Sequence, residues 1–398
     1  MSAPLMATYA PPPLVFDRGE GCTLYTAEGE AYLDAIAGIA VNALGHAHPT
    51  LVETLKTQAE KLWHLSNMFE IPAQKRLAQK YCETSFAERV FFTNSGTEAI
   101  ECALKTARRF HAANGAPERI EIIGFEGAFH GRSYAAINAA ANPKYLEGFG
   151  PALPGYRQLP FGDHDALREA VTERTCAVVV EPVQGDGGVR PLPPECLQGL
   201  RALCDATGTL LIYDEVQCGA GRTGKLWAHQ WANNAEPDIM AVAKGVGGGF
   251  PLGACLATEA ACRTMVVGAH GSTNGGNPLA TAVGDAVFDL LTAEGFMDEV
   301  VAVADHLAAG LADLADRRGN LVAESRGKGL LRGLKLRDGL DPKAVQARAR
   351  EHRLLVGSAG DNVVRLAPPL VLSQTEADQI IDRLDAALSD VAERRDGL

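Results

Sequence analysis

The chain predicts an α/β fold, a mostly parallel sheet in a large domain followed by a smaller α+β domain, and three observations carry that expectation. Short, almost wholly apolar runs recur along the first part of the chain: Arg89–Thr93, Ile120–Ile123, Ala177–Val180, Leu210–Tyr213 and Ile239–Val242. Continuous rather than alternating hydrophobicity marks strands covered on both faces. Amphipathic stretches of helical length separate them, as from Glu98 to Ala112 and from Pro194 to Ala206. Strand and helix in alternation mean parallel pairing with crossover helices. After Pro278 the pattern changes to consecutive helices, Leu279–Thr292 and Glu299–Asp316. Strand-like pieces follow at Leu330–Leu336 and Val363–Ala367, then a closing helix, Gln374–Glu393. The expected division is 1–50 as a segment packing with the small domain, 51–289 as the large domain and 290–398 as the small one. The proline-rich opening, with Pro4 and Pro11-Pro12-Pro13, reads as extended chain laid over another surface.

Composition narrows the function classes. Of 398 residues, 46% are hydrophobic and 22% charged, ordinary for a globular protein. The net charge of −12 argues against nucleic acid or an anionic membrane as partner, since both require basic patches. Nine cysteines form no C-x-x-C pair and no regular spacing, which fits a reducing compartment. The N-terminus shows no basic start with an apolar core, and no charge-free apolar run is long enough to span a bilayer. A cytoplasmic location is expected.

Four segments carry chemistry. Asn94-Ser-Gly-Thr-Glu-Ala99 follows a strand and opens a helix, where free N–H groups and hydroxyls can cradle a phosphate. The bland reading is an ordinary cap by Ser95 or Thr97. Leu211-Ile-Tyr-Asp-Glu-Val-Gln217 sets Asp214 at the carboxyl end of a buried strand, where open α/β sheets place their ligands. Asp214 can pair with a protonated ring nitrogen and Gln217 can donate to a ligand oxygen. A metal-ligand reading of the aspartate, as in nucleotide hydrolysis, finds no G-x-x-x-x-G-K-[ST] to complete it. Ala243-Lys-Gly-Val-Gly-Gly-Gly-Phe-Pro251 places Lys244 just past an apolar run, before glycines that admit close backbone approach. Such a lysine suits covalent capture of an aldehyde, whereas the alternative is an exposed lysine before a loop. The glycines do not form a dinucleotide fingerprint. Gly271-Ser-Thr-Asn-Gly-Gly-Asn-Pro278 offers Thr273 as a second hydroxyl donor, or is only a glycine-rich turn.

Taken in order, these segments resemble the class III, ornithine-type aminotransferases, and within them the acetylornithine branch. The resemblance runs from about Leu24 to Pro369. It includes Gly38-Ile-Ala-Val-Asn-Ala-Leu-Gly-His46, Phe129-His-Gly-Arg132, Lys144-Tyr-Leu-Glu-Gly-Phe-Gly-Pro151, Glu181-Pro-Val-Gln-Gly185 and Gly219-Ala-Gly-Arg-Thr-Gly224. It implies the type I fold of pyridoxal 5'-phosphate enzymes and a homodimer with shared active sites. Lys244 would be the Schiff-base lysine and proton carrier, Asp214 the partner of the pyridinium nitrogen, and Gln217 a neighbour of the ring hydroxyl. Phe129 would stack on the ring, with Glu215 and Val216 also at the cofactor. Ser95, Gly96 and Thr97 would hold the phosphate, joined by Thr273 of the neighbouring subunit.

For substrate, the resemblance implies Arg132 as a carboxylate clamp, Ser272 near the incoming amino acid, and Arg365 as a second carboxylate-binding arginine gated by Asp186. The implied reaction is a ping-pong transfer of the δ-amino group of N2-acetyl-L-ornithine to 2-oxoglutarate, giving glutamate. Succinylornithine, succinyl-diaminopimelate, ornithine and 4-aminobutyrate are the rival donors. An aminomutase or a non-catalytic phosphate-ligand binder are the rivals of other kinds. His46 and His48 read as structural, since two histidines make a poor metal site. The chain departs from the family at Asp186, where glutamate is usual, at Asn274 in place of an aromatic, and at Gly245 in place of alanine. The shorter Asp186 predicts a looser or water-mediated pair with Arg365. Ile39 stands where enzymes of free ornithine carry tyrosine, which favours the acetylated donor.

Overall fold

A computed structural model describes residues 4–396. Its centre is a seven-stranded sheet in the order Arg89–Thr93, Gly253–Ala257, Ile239–Val242, Leu210–Asp214, Thr175–Val180, Glu121–Phe125 and Tyr156–Leu159. All but one of these strands run in the same direction. Gly253–Ala257 is antiparallel to both neighbours, and the remaining pairs are parallel. The five apolar runs of the sequence are all strands of this sheet. Thr175–Val180 and Leu210–Asp214 are buried along their whole length, as two covered faces require.

The helix Gly96–Ala113 lies against this sheet. Ala99, Ala103 and Ala107 recur at the helical spacing and are buried, so the helix axis comes close to the strands beneath. The helix Pro194–Thr207 follows the expected span and ends on Gly208 at φ 64°, a left-handed cap that glycine adopts without strain.

The C-terminal part contains Pro278–Leu291 and Phe296–Arg317, then an antiparallel sheet ordered Val322–Lys328, Leu331–Leu336, Val363–Leu366 and Gly357–Ala359. The helices Phe296–Arg317 and Pro342–Glu351 pack against it, and Gln374–Asp396 lies on those two helices. The N-terminal strands Arg18–Glu20, Thr23–Tyr25 and Ala31–Asp34 form a further sheet, completed by Leu354–Leu355 pairing parallel with Ala31–Asp34. Residues from both ends of the chain therefore share one sheet. Ala367 N–H also donates to Ala35 O at 2.8 Å, and Leu370 N–H to Ala43 O at 2.7 Å. Ahead of that sheet, Leu5, Met6, Tyr9 and Val15 are exposed. All nine cysteines are unpaired, and no described helix is long and apolar enough to cross a membrane.

Candidate active site

The strands that share a direction end at one edge of the large sheet, and beyond five of the six ends the chain enters a single cavity of about 280 Å³. Arg89–Thr93 leads to Ser95, Gly96 and Thr97; Glu121–Phe125 leads to Phe129 and His130; Thr175–Val180 leads to Glu181. Leu210–Asp214 supplies Asp214, followed by Val216 and Gln217, and Ile239–Val242 leads to Lys244. Convergence at the carboxyl edge is how an open α/β sheet builds a binding crevice.

At the first strand end, Ser95 caps the helix, its Oγ accepting from Glu98 N–H at 3.2 Å. Cap and cradle are thus compatible. The Gly96 and Thr97 N–H groups have no carbonyl four residues back within the helix, and they sit at its positive end beside the cavity. Gly96 is required by space: a Cβ there would lie 2.6 Å from Val216 Cγ1. Val216 therefore forms part of the floor of the cradle.

Asp214 is nearly buried and held at both oxygens. Oδ1 accepts from Val216 N–H at 3.0 Å, and Oδ2 lies 2.7 Å from Nδ1 of the buried His130. With Asp214 ionised, His130 donates through Nδ1, which fixes its tautomer. Glu181 is also buried, its carboxyl accepting from Phe129 N–H at 3.2 Å and Gly185 N–H at 3.5 Å. Burial, then the charges of Asp214 and Asp186, push its pKa well above the usual carboxylate range.

Lys244 has φ +50°, a left-handed conformation that costs a non-glycine residue about 1–2 kcal/mol. Burial holds its ammonium below the usual lysine range, with Arg365 acting in the same direction against the carboxylates of Asp186, Asp214 and Glu181. No salt bridge to Lys244 forms among the described residues. A Cβ on Gly245 would sit 3.0 Å from Ala220 Cβ.

Behind the cavity, Arg365 is almost wholly buried and its Nη1 donates to Asp186 Oδ1 and to Gln217 Oε1, both at 3.1 Å. The Asp186 pair is direct and single, neither bidentate nor spaced for a water. Gln217 is thereby drawn toward Arg365 through its oxygen, leaving its amide N–H groups for the cavity. Gly185 makes room for it, since a Cβ there would meet Gln217 Oε1 at 2.1 Å.

Other expected site residues stand apart. Glu215 does not line the cavity. Its buried carboxylate accepts from His229 N–H at 2.7 Å and from Ala228 N–H, closing the turn Ala228–Trp231. Arg132 is exposed, stacked 4.0 Å over Tyr145 in an adjoining cavity of about 200 Å³. Ser272 and Thr273 border a third hollow, where Ser272 Oγ accepts from Gly275 N–H at 2.9 Å and Asn94 Nδ2 at 3.3 Å. His130 and Glu181 are the residues that sequence reasoning passed over; both lay inside quoted motifs without a role. His46 is explained by a 2.8 Å contact with the buried Asp34.

The residues present fit pyridoxal phosphate. The cavity has an anion cradle of helix N–H groups at one end, a buried carboxylate at another wall, and a lysine of lowered basicity between them. These groups on this sheet define a pyridoxal-phosphate-dependent enzyme of the α/β type. The family model described as aminotransferase class-III matches residues 5–388. An acetylornithine aminotransferase of Caulobacter vibrioides is 57% identical over 96% of this chain and 94% of its own. That of Brucella melitensis is 57% identical over 97% and 95%. Among solved structures, N-acetylornithine aminotransferase of Stenotrophomonas maltophilia superposes with a TM-score of 0.84 at 36% identity, covering 96% of this chain and 98% of that one. Ornithine aminotransferase of Toxoplasma gondii gives 0.93 at 30% identity, covering 98% and 94%. The chain belongs to the class III aminotransferases, and its cofactor is pyridoxal phosphate.

Proposed function

We propose that this enzyme moves the δ-amino group of N2-acetyl-L-ornithine to 2-oxoglutarate, the acetylornithine step of arginine biosynthesis. The observation that carries the substrate is near-full-length identity of 54–57% to relatives named acetylornithine aminotransferase. Ile39, rather than tyrosine, points the same way.

When bound, pyridoxal phosphate supplies an aldehyde for covalent exchange with amines and a conjugated ring that accepts an electron pair. The Gly96 and Thr97 N–H groups and the Ser95 and Thr97 hydroxyls hold the phosphate. Asp214, fixed by His130 Nδ1 and Val216 N–H, would pair with the ring nitrogen, Gln217 would donate to the ring oxygen, and Phe129 would cover the ring. Lys244 Nζ would make the resting covalent link and, once freed, would be the amine that holds and moves the proton of the transfer, its basicity lowered by burial. Arg132 clamps the donor's outer carboxylate while Asp186 occupies Arg365. In the second half-reaction Arg365 turns to the keto acid's carboxylate. Thr273 serves the neighbouring subunit of a homodimer. We assign 1–50 and 290–398 to one small body and 51–289 to the cofactor-binding one, in a cytoplasmic enzyme.

The test is the half-reaction followed by cofactor absorbance, with N-acetylornithine or free ornithine and no keto acid. Conversion by the acetylated donor, reversed by 2-oxoglutarate, is expected. Faster conversion by free ornithine would overturn the substrate while keeping the class.

A further inference from the structure

The loop Gly185-Asp-Gly-Gly-Val189 joins the short antiparallel strands Val183–Gln184 and Arg190–Pro191 and carries Asp186 to Arg365. Its glycines give it little stiffness of its own, so whatever holds its backbone decides where Asp186 points. Placement matters more for an aspartate than for a glutamate, because the shorter stem has less reach.

The C-terminal sheet supplies the hold. Arg326 pairs with Gly333 across one strand boundary and Gly333 with Arg365 across the next, so the two arginines emerge on one face with a glycine between them. Val189 fills that gap: a Cβ on Gly333 would lie 3.1 Å from Val189 Cβ. One arginine therefore stands at each end of the loop. Arg365 donates to the Asp186 side chain, while Arg326 Nε donates to Gly188 O at 2.8 Å. The Arg326 side chain is only 13% exposed, and its Nη2 reaches on to Asp361 Oδ2 at 2.7 Å. Its Nη1 lies 3.4 Å from Glu324 Oε2 at the rim, and Lys335 Nζ takes the other oxygen of Asp361 at 2.9 Å. Asp361 is at the tip of the hairpin formed by Gly357–Ala359 and Val363–Leu366. There Asp361 and Asn362 are left-handed, at φ 55° and 59°, a conformation both residue types tolerate. The neighbouring tip residue, Gly360, donates its N–H to Asp186 O at 2.8 Å. One hairpin thus holds Asp186 twice, by the backbone at its tip and by the side chain on its arm.

We propose that Arg326 is a positioning residue of the keto-acid half-reaction: by fixing Gly188 O and the Asp361 tip, it sets the backbone from which Asp186 covers Arg365. The inference rests on the Asp186–Arg365 gate proposed above. With Gly188 O and Asp186 O both held, the gate opens by rotation of the Asp186 side chain alone. Once the backbone is released, the carboxylate spreads over orientations that leave Arg365 uncovered, and an incoming carboxylate reaches the arginine more easily. Arg326 itself does not line the cofactor cavity, so it acts only through Asp186.

The experiment follows each half-reaction of the holoenzyme by cofactor absorbance, with 2-oxoglutarate for one half and N-acetylornithine for the other. Arg326→Met should lower the KM for 2-oxoglutarate about 2- to 10-fold, while kcat/KM of the donor half moves less than about twofold. In an Asp186→Ala background the same change should have less than about a twofold effect, because the carboxylate it positions is gone. Arg326→Lys keeps a charge for Asp361 without the fork that also reaches Gly188 O, and should fall in between. Asp361→Gly suits the left-handed tip and removes its ion pairs, so it should act as Arg326→Met does even if the latter folds poorly. Amide exchange gives a readout independent of turnover. The Gly360 N–H, followed in peptides spanning the hairpin, should exchange at least about threefold faster in Arg326→Met and Asp361→Gly. It should keep its normal rate in Asp186→Ala, whose backbone carbonyl remains. Equal shifts in both half-reactions, a full effect in the Asp186→Ala background, or unaltered Gly360 exchange in Arg326→Met would overturn the role of Arg326 and leave the gate standing. An unchanged keto-acid KM in Asp186→Ala would remove the gate, and the role of Arg326 with it.

Discussion

Replacing Asp186 with alanine should separate the two half-reactions, because Asp186 competes for Arg365 in only one of them. Arg365 is buried and its Nη1 is divided between Asp186 Oδ1 and Gln217 Oε1, each at 3.1 Å. For a keto acid to reach that guanidinium, the aspartate must release it. A charge-assisted bond of this kind is worth about 1.5–3 kcal/mol when enclosed. The Asp186 side chain is 31% exposed and makes one contact rather than two, so the figure is reduced to about 1–2 kcal/mol. Removing it should lower the KM for 2-oxoglutarate roughly 5- to 30-fold. The donor half, whose outer carboxylate is assigned to Arg132, should change less than about twofold in kcat/KM. Asp186→Glu, with a longer reach, should move the keto-acid KM the opposite way. Rapid mixing of each half-reaction, followed through the cofactor, gives both constants separately. Equal changes in the two halves, or an unchanged keto-acid KM, would refute the gate.

Further substitutions probe the cofactor end. Lys244→Ala should abolish turnover, and a substantial fraction of the normal rate in steady-state assays would remove Lys244 from its role. Burial lowers the folded pKa of Lys244 below its unfolded value, so between the two values the unfolded apoenzyme binds more protons and stability rises with pH. Lys244→Met should therefore raise the apoenzyme's Tm at neutral pH, with an advantage that shrinks toward pH of about 10; thermal melts across pH read this. His130→Phe removes the 2.7 Å donor to Asp214 and should lower kcat about 10- to 100-fold with little effect on KM, while His130→Asn recovers part of it. Gly96→Ala drives a Cβ to 2.6 Å from Val216 Cγ1 and should weaken cofactor retention at least about tenfold, measured by dilution and absorbance.

The sheet was legible where burial alone selects residues. Five apolar runs became five strands because both of their faces are covered, so alternation is suppressed. Two strands gave no such signal. Gly253–Ala257 has one large residue, Leu256, among small ones and is the antiparallel member, fitted between the first strand and Ile239–Val242. Tyr156–Leu159 is at the edge, with a polar Arg157 and Gln158. In the C-terminal part, Val322–Lys328 reads Val-Ala-Glu-Ser-Arg-Gly-Lys and carries a register shift, so neither period shows.

The site follows a different rule, one of direction. Asp214 ends a strand and faces the cavity; in an extended chain the next side chain faces the other way, and Glu215 does so, into the Ala228–Trp231 turn. Grouping Glu215 with its neighbours by sequence adjacency ignored that alternation. The same reasoning, applied forward, would have found Glu181. It follows Val180 at the carboxyl end of the most continuously buried strand, which is the position that singled out Asp214. His130 could not be found this way. Its partner lies 84 residues on, and only the pairing of the two strand ends across Thr175–Val180 brings them together. A motif such as Phe129-His-Gly-Arg132 therefore holds two kinds of residue. Phe129 meets the cavity directly, while His130 acts on it through Asp214, which is why substituting each should fail differently: the first in binding, the second in rate.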